Sequence, residues 1–382
     1  MPTLSHKIRL DPTEAQIAEF KKACGCARFA WNWALAKWNE KYAAGEKCTG
    51  NSLQKEFNAI KGELFPWISE SSTWASKRPF ANLQTAFIRF FKKTSKYPKF
   101  KSKSKSHDSF YLCNQVLKIQ NKICQLPRIG EVRMREELRL SGKIMSGVVS
   151  RTADQWYLSV TVELNKLPRT VKTTSKVVGI DLGLKEAIVA DDGDTFKSPK
   201  PLKRYSKILA KRSRQHSRKV KGSNNRHKAQ MKLAKLHAKI ANIRKDFTHK
   251  ATSKLIDENQ VIGLEDLNVA GMMKNHCLAK AISDVSWAEI RRQLEYKAKL
   301  YGREVRLVNR FFPSSKTCSK CGSVKKSLEL SERVFKCSDC GYIIDRDLNA
   351  AINIKDTVGH TEINAWGESV QLDNSLNQEV QL

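Results

Sequence analysis

Acidic residues are scarce in this chain of 382 residues: 38 Asp and Glu stand against 70 Lys and Arg, a formal charge of +32. That excess is far beyond what solubility requires, and its ordinary partner is a polyphosphate. No run of about 18 apolar residues occurs, and no export-signal pattern opens the chain, so it is expected to be soluble and cytoplasmic, with no membrane partner. A purely disordered basic chain is excluded by 8 Trp and 15 Phe, enough large apolar groups to build cores. Ten Cys in a reducing compartment point to thiols or metal ligands in preference to disulfides. The length allows two or three domains. Charge alone would also fit a packaging protein of the ribosomal or histone kind.

The chain opens on an alternating strand, "LSHKIRL", and passes into "DPTEAQIAEFKKACGCARFAWNWALAKWNEKY". Asp11 is a ready N-cap, with Pro12 at the first helical position and Glu14 closing a capping box. Ile17, Phe20, Cys24, Ala27, Trp31 and Leu35 then recur at helical spacing, and Cys24 and Cys26 read as small core residues. Helical patterning resumes at "SLQKEFNAIK" and "RPFANLQTAFIRFFKK". Lys92 to Ser106 alternates Lys and Ser around one Pro; it cannot pack, and reads as a solvated linker or a phosphate-gripping loop. The short alternating runs that follow, from "SFYLCNQVLKI" to "QWYLSVTVEL", predict an antiparallel sheet or barrel that the opening strand completes, with Cys113 and Cys124 as packing residues. The helical segment, residues 11–105, is then an insertion between residues 1–10 and 106–170 of that sheet.

From Lys176 the pattern turns to mixed α/β. Residues 203–250 carry 17 Lys or Arg and one acid, Asp246, with a partial helical stripe through Leu209, Met231, Leu233, Leu236, Ile240 and Ile243. This predicts a basic helical pair, either a nucleic-acid grip or a solvated face. "NQVIGLEDLN" and "REVRLVNR" read as strands, and "SWAEIRRQLEYKAKLYG" as an amphipathic helix closed by Gly302. The tail after about Thr357 is polar and aperiodic and is expected to be disordered.

Two patterns carry chemistry. Cys318, Cys321, Cys337 and Cys340 form two C-x2-C pairs fifteen residues apart, each followed by a glycine (Gly322, Gly341) where a metal knuckle must turn. Four thiolates suit one structural Zn²⁺ with no open coordination position. The carboxylates are Asp181 in "VVGIDLG", Glu265 in "VIGLEDL" and Asp347 in "DRDLNAA". The first two end strongly apolar strands and the third opens a short helix. At that end of an α/β sheet, converging acids repel unless hard cations such as Mg²⁺ lie between them. Two such ions about 4 Å apart would activate a water and stabilise the leaving oxygen of a phosphodiester. Three unrelated helix or strand caps remain the alternative at this point.

"GIDLG", "GLEDLN", the four-cysteine segment and "DRDLNAAINI", in this order, resemble the RuvC-type nuclease of the TnpB (OrfB) proteins of bacterial insertion sequences. "ISDVSWAEIRRQLEYKAKLYG", "FFPSSKTCSKCG" and the N-terminal "RLDPTEAQ" with "ARFAWNWAL" resemble the same family, so the likeness spans residues 1 to about 357. It implies a relative of type V CRISPR effectors, an RNA-guided DNA endonuclease that cuts double-stranded DNA beside a short transposon-adjacent motif. The implied partners are a guide RNA from the element's end, one chain per RNA, and the duplex target, in a bacterial cytoplasm and on the nucleoid when DNA is bound. The implied fold is α/β and multidomain: an RNase H-like (RuvC) domain at 171–310 and 345–357, and a zinc-finger target-nucleic-acid-binding insertion at 311–344. A β-barrel wedge at 1–10 and 106–170, a helical recognition insertion at 11–105 and a tail at 358–382 complete it. Asp181, Glu265 and Asp347 become the catalytic acids and the ligands of two Mg²⁺ ions, with Mn²⁺ as the alternative ion, and Asp345 is set aside. The zinc segment would rest beside those acids and help feed single-stranded DNA to them.

Lys211, Arg212, Arg214, Arg218 and Lys219 are expected to grip the RNA or heteroduplex backbone. A guide cannot pair with closed duplex, so the protein must also read the adjacent motif itself. The helix with Phe80, Leu83, Ala86, Phe87 and Phe90 packed inward would leave Ser72, Thr73, Ser76 and Lys77 facing DNA and Arg78 on the backbone, unless this is simply an exposed helix end. The rival functions are a DNA-binding transposition protein and a regulator without guided cleavage. A tyrosine nucleophile motif and an accessory His pair are missing for the first, and the three intact acids speak against the second.

Overall fold

The alternating opening run forms β1 (Thr3–Asp11) in the computed structural model, with Ile8 and Leu10 buried and Lys7 and Arg9 turned outward. The structure describes residues 2–329, 332–359, 361–363 and 369–371, the last two stretches by backbone alone. These residues fall into two compact units, 1–168 and 169–382.

In the first unit three helices follow β1: α1 (Glu14–Ala43), α2 (Gly50–Leu64) and α3 (Thr73–Phe91). The chain then makes β2 (Ser109–Cys113), β3 (Lys118–Gln120), β4 (Ile123–Leu126), β5 (Gly130–Met134), β6 (Gly142–Thr152) and β7 (Gln155–Leu164). The seven strands are ordered β2-β6-β7-β1-β5-β4-β3, every pair antiparallel. Strict alternation in β7 turns Trp156, Leu158, Val160, Val162 and Leu164 to the interior. Among the described residues β2 and β3 do not pair, so the hydrogen bonding of the sheet stays open at that edge. The first turns of α1 seat Phe20 edge-on against Trp156, ring centroids 4.9 Å apart. Its later turns place Ala30, Trp31, Ala34 and Leu35 in a second core with Leu53, Phe57, Phe80, Leu83 and Phe87.

Three expectations are corrected here. The cap of α1 is Thr13, which accepts from the Gln16 amide in a capping box, because Asp11 still belongs to β1 and its carboxylate meets Arg135. The Lys- and Ser-rich segment is docked over part of its length. Trp31 and Asn32 donate to the Lys99 and Lys101 carbonyls, and Pro98 is buried, so the backbone is gripped where the side chains could not pack. Ser72 and Ser76 are buried, the latter bonding back to the Thr73 carbonyl, so neither faces outward. Thr73 and Arg78 are exposed; the Lys77 ammonium lies over the Trp74 ring at 5.2 Å and the Arg78 guanidinium over Tyr111 at 4.6 Å.

The second unit is built on β8 (Val177–Asp181), β9 (Ile188–Ala190) and β10 (Thr195–Phe196), then α4 (Pro201–Ser217) and α5 (Asn224–Glu258). β11 (Val261–Glu265), α6 (Val269–Met272), α7 (His276–Val285), α8 (Trp287–Tyr301) and β12 (Glu304–Val308) continue it. The strand order is β10-β9-β8-β11-β12, with β8, β11 and β12 parallel. Val178, Ile180, Ile262 and Leu264 pack on α5 and α8 through Leu255, Ile256, Ile290 and Leu294. A small two-stranded ribbon, β13 (Val334–Lys336) and β14 (Ile343–Asp345), leads into α9 (Arg346–Gly359), which covers the other face of the sheet. The tail expected to be disordered lies mostly outside the described residues; its described parts are the end of α9 and a paired β15 (Thr361–Ile363) and β16 (Ser369–Gln371).

Candidate active site and thiolate cluster

Period 2 decides which side chains of the parallel strands meet α9. Val177, Gly179 and Asp181 share one face of β8, and Val261, Gly263 and Glu265 share the same face of β11, because Val261 registers with Val177 and Gly263 with Gly179. The two glycines let α9 approach. A Cβ on Gly179 would stand 2.1 Å from the Ala351 carbonyl oxygen, and one on Gly263 would stand 2.7 Å from Val358 Cγ2. One step further along that face stand Asp181 and Glu265, with the first turn of α9 and Asp347 beside them. Asp345 is exposed and caps α9, accepting from the Asp347 and Leu348 amides at 2.9 and 3.1 Å. Asp347 is drawn inward, its Oδ2 3.9 Å from where a Gly183 Cβ would lie. The turn carrying Gly183 is pinned by Trp287, whose indole N–H donates to the Gly183 carbonyl at 3.2 Å.

The electrostatics follow. Burial, then the charges of Glu265 and Asp347, push the Asp181 carboxyl up to about 7, against a smaller opposing pull from Arg346. Ser314, buried in the loop after β12, donates its hydroxyl to Glu265 Oε1. Arg346 lies 3.3 Å from Asp347 Oδ1 and Arg333 lies 3.9 Å from Oδ2. An unfolded Asp titrates near 3.8, so between 3.8 and about 7 the folded chain holds a proton that the unfolded chain releases. In magnesium-free buffer, stability should therefore fall as pH rises through that window, by at most about 4 kcal/mol at about 1.4 kcal/mol per unit. Asp181→Asn should flatten the dependence in chemical denaturation between pH 4 and 7; an equally steep variant would show that another group titrates.

The thiolate cluster stands beside these acids. The four cysteine sulfurs lie within 4.8 Å of one another, the only set of three or more donor groups that close among the described residues. Cys318 and Cys340 are 3.7 Å apart and Cys321 and Cys337 3.6 Å, against about 3.8 Å for the edge of a tetrahedron with Zn–S near 2.3 Å. Gly322 and Gly341 take φ of +76° and +72°, the left-handed turns that close each knuckle. The Cys340 amide donates to the Cys337 sulfur and helps hold that thiol down at about 6. The donor set thus fits a tetrahedral soft cation.

Two asparagines of α9 tie cluster and acids together. Asn349 accepts from the Ser319 amide and donates to the Thr317 carbonyl; Asn353 donates to the carbonyls of Ser314 and Thr317 at 2.7 Å. They lie one turn apart, so one helix face holds both the loop that seats Ser314 against Glu265 and the loop that presents Cys318. β14 and the first turn of α9 thus join the Cys337–Cys340 pair directly to Asp345 and Asp347. The asparagines were not singled out in the sequence, where an Asn in a short helix reads as polar surface.

The basic pair is α4 and α5. Asp284, buried at the end of α7, accepts from the Leu202 and Lys203 amides, each at 2.9 Å, and caps α4 from outside its own element. Lys211, Arg214, Arg218 and Lys219 are exposed, whereas Arg212 is half-buried and donates to the Lys232 carbonyl of α5 at 2.9 Å. Of the proposed stripe only Leu236 and Ile240 are fully buried.

Family models match three parts of the chain: a "Probable transposase" model (OrfB_IS605) over residues 158–276, a Cas12f1-like TNB domain over 287–354 and a helix-turn-helix domain over 1–47. A Streptomyces pristinaespiralis protein named "Putative RNA-guided DNA endonuclease" is 38% identical, covering 91% of this chain and 87% of its own. A similarly named Escherichia coli K12 protein, InsQ, is 32% identical over 98% of this chain and 96% of its own. A Cas12f1–guide RNA–target DNA complex aligns with 93% of this chain and 99% of its own at a TM-score of 0.37 and 20% identity.

Proposed function

The chain belongs to the TnpB (OrfB) family, and on that premise we propose that it is an RNA-guided DNA endonuclease of an insertion sequence, cutting duplex DNA beside a short adjacent motif. One observation carries the reading. Asp181, Glu265 and Asp347 come from two strand ends and a helix start to one place, where burial and mutual repulsion lift the Asp181 carboxyl. A protein gains nothing structurally from three carboxylates so placed; hard cations relieve the repulsion. Asp181, Glu265 and Asp347 would hold two Mg²⁺ ions, which when bound supply water activation and leaving-oxygen stabilisation in phosphodiester hydrolysis. Ser314 fixes the rotamer of Glu265, Trp287 holds the turn after Asp181, and Asp345 sets the start of the helix that presents Asp347. The five-stranded sheet with α9 is then the RuvC-like, RNase H-like domain (171–310 and 345–357), interrupted by the zinc segment at 311–344. The seven-stranded sheet (1–10 and 106–170) is the wedge, and the helical run within 11–105 the recognition lobe. On this reading Thr73 and Lys77 at the start of α3 would read the adjacent motif, with Arg78 on the DNA backbone.

The guide RNA is assigned to the basic helical pair, with the exposed Lys211, Arg214, Arg218 and Lys219 gripping phosphates and Arg212 also bracing α4 on α5. Purified protein should carry a discrete RNA that can be extracted and sequenced; protein free of RNA, or carrying random fragments, would sink the guided reading. Replacing all five cations should release that RNA and flatten the salt dependence of binding by about 0.7–0.9 in log–log slope per lost contact. An unchanged slope returns this face to a solvated surface.

A further inference from the structure

Phe311 is 88% exposed, the most exposed large apolar side chain among the described residues. Its setting shows that this exposure is built in. On one side Arg310 donates to the Asp266 carbonyl and carboxylate at 3.0 and 2.8 Å. On the other, Phe312 packs with Val308, Ile354 and Val358. Ser314 donates to Glu265, and its carbonyl accepts from Asn353 at 2.7 Å. The Phe311 amide itself donates to Asn309 Oδ1 at 2.9 Å. Both neighbours are thus held by their own contacts while the ring between them points to solvent. It is held in solvent although burying a phenylalanine is worth ~1.5–3 kcal/mol.

The position of the ring identifies what covers it. Ser314 is three positions after Phe311, so the Phe311 Cα lies within ~11 Å of the Cα of the residue that touches Glu265. Two arginines stand nearby along the chain or at the acids: Arg310, next to Phe311 and paired with Asp266, and Arg333, 3.9 Å from Asp347 Oδ2, each about half exposed. An exposed aromatic face beside an arginine, a few residues from an acid cluster read as a phosphodiester site, matches a nucleotide base, and an unstacked base is what a single strand offers. We propose that Phe311 is the stacking platform for a base of the single strand whose phosphodiester lies at Asp181, Glu265 and Asp347. This rests on the nuclease reading and adds to it a substrate contact that fixes the register of the strand over the acids. Any base can stack, so the contact is sequence-tolerant, as a guided enzyme requires.

The test uses the full-length protein with its co-purified RNA and matched target DNA carrying 2-aminopurine at successive positions around the cut, with Ca²⁺ replacing Mg²⁺. In the wild-type complex one position should be quenched by stacking. Phe311→Ala and Phe311→Leu should lose that quenching, Phe311→Trp should keep it, and all three should melt at the wild-type temperature because no core contact changes. With Mg²⁺, single-turnover cleavage by the Ala and Leu variants should fall up to ~5–150-fold, the equivalent of ~1–3 kcal/mol per stacked base, with target binding unchanged. Wild-type cleavage by Phe311→Ala, or rescue by Leu equal to that by Trp, would overturn the proposal, the latter showing a merely apolar contact. The fluorescence needs no cleavage, so a wild-type complex that fails to cut counts against the nuclease reading while the 2-aminopurine comparison still decides Phe311.

Discussion

Alanine at Asp181, Glu265 or Asp347 is expected to abolish DNA cleavage, each alone, while RNA and target binding persist. The acids would hold ions and not the duplex, so the loss falls on the chemical step. Ion-mediated stabilisation is worth several kcal/mol, and at tenfold per ~1.4 kcal/mol the rate should drop by ~10³ or more. Asp345→Ala is the internal control. Its carboxylate caps α9 through the Asp347 and Leu348 amides, so the variant should lose ~0.5–2 kcal/mol of stability and still cut. Full cutting by Asp347→Ala with Asp345→Ala dead would reverse the assignment within "DRD". Asp181→Ala should also be more stable than wild type in metal-free buffer near neutral pH, since it removes the carboxylate that burial and its neighbours' charges disfavour.

The second large effect is on the thiolate cluster. Metal analysis should find roughly one zinc per chain, and Cys337→Ser should lose it together with most activity. The segment has little else to fold around: its buried apolar cluster is Cys318, Phe335 and Cys337, with Tyr342 and Ile344 against it. Zinc binding in isolated finger peptides is worth ~10–16 kcal/mol, as large as the stability of a whole domain. Losing it should free the loop at 314–319 from Asn349 and Asn353 and leave Glu265 without its Ser314 partner, so activity falls through positioning as well as unfolding. Cys277→Ser, an exposed thiol outside the cluster, should change neither zinc content nor cutting. Zinc-free protein that cuts at the normal rate would refute the coupling.

What the sequence made legible is what repeats or is spaced. The cysteine pairs declare their knuckles, β7 declares its buried face, and the apolar strands before Asp181 and Glu265 mark their own ends. Long-range partners were not legible. A glycine inside a strand reads locally as a weakness, and only the passage of α9 over Gly179 and Gly263 explains both. Lys297 sits on a helix read as amphipathic, yet it is buried, with the His249 carbonyl and the Thr252 and Ser253 hydroxyls matching its three donors; burial pushes it down to about 8. Ser72 and Ser76 show the converse, small polar residues that a helix end would expose but tertiary packing covers. The cap of α1 is Thr13 and not Asp11 because sheet pairing runs through Asp11 itself. In each case a partner distant in sequence outweighed the local preference.

The measurement closest to the central claim is guide exchange. The RNA that co-purifies is replaced by one whose guide segment matches a plasmid site, flanked by a randomised library in place of the adjacent motif, and cleavage is followed with Mg²⁺. Cutting should move to the new site, occur only beside one short motif, and vanish with Asp181→Ala. Cutting that ignores the guide, or that survives the loss of Asp181, would contradict RNA-guided cleavage at these acids.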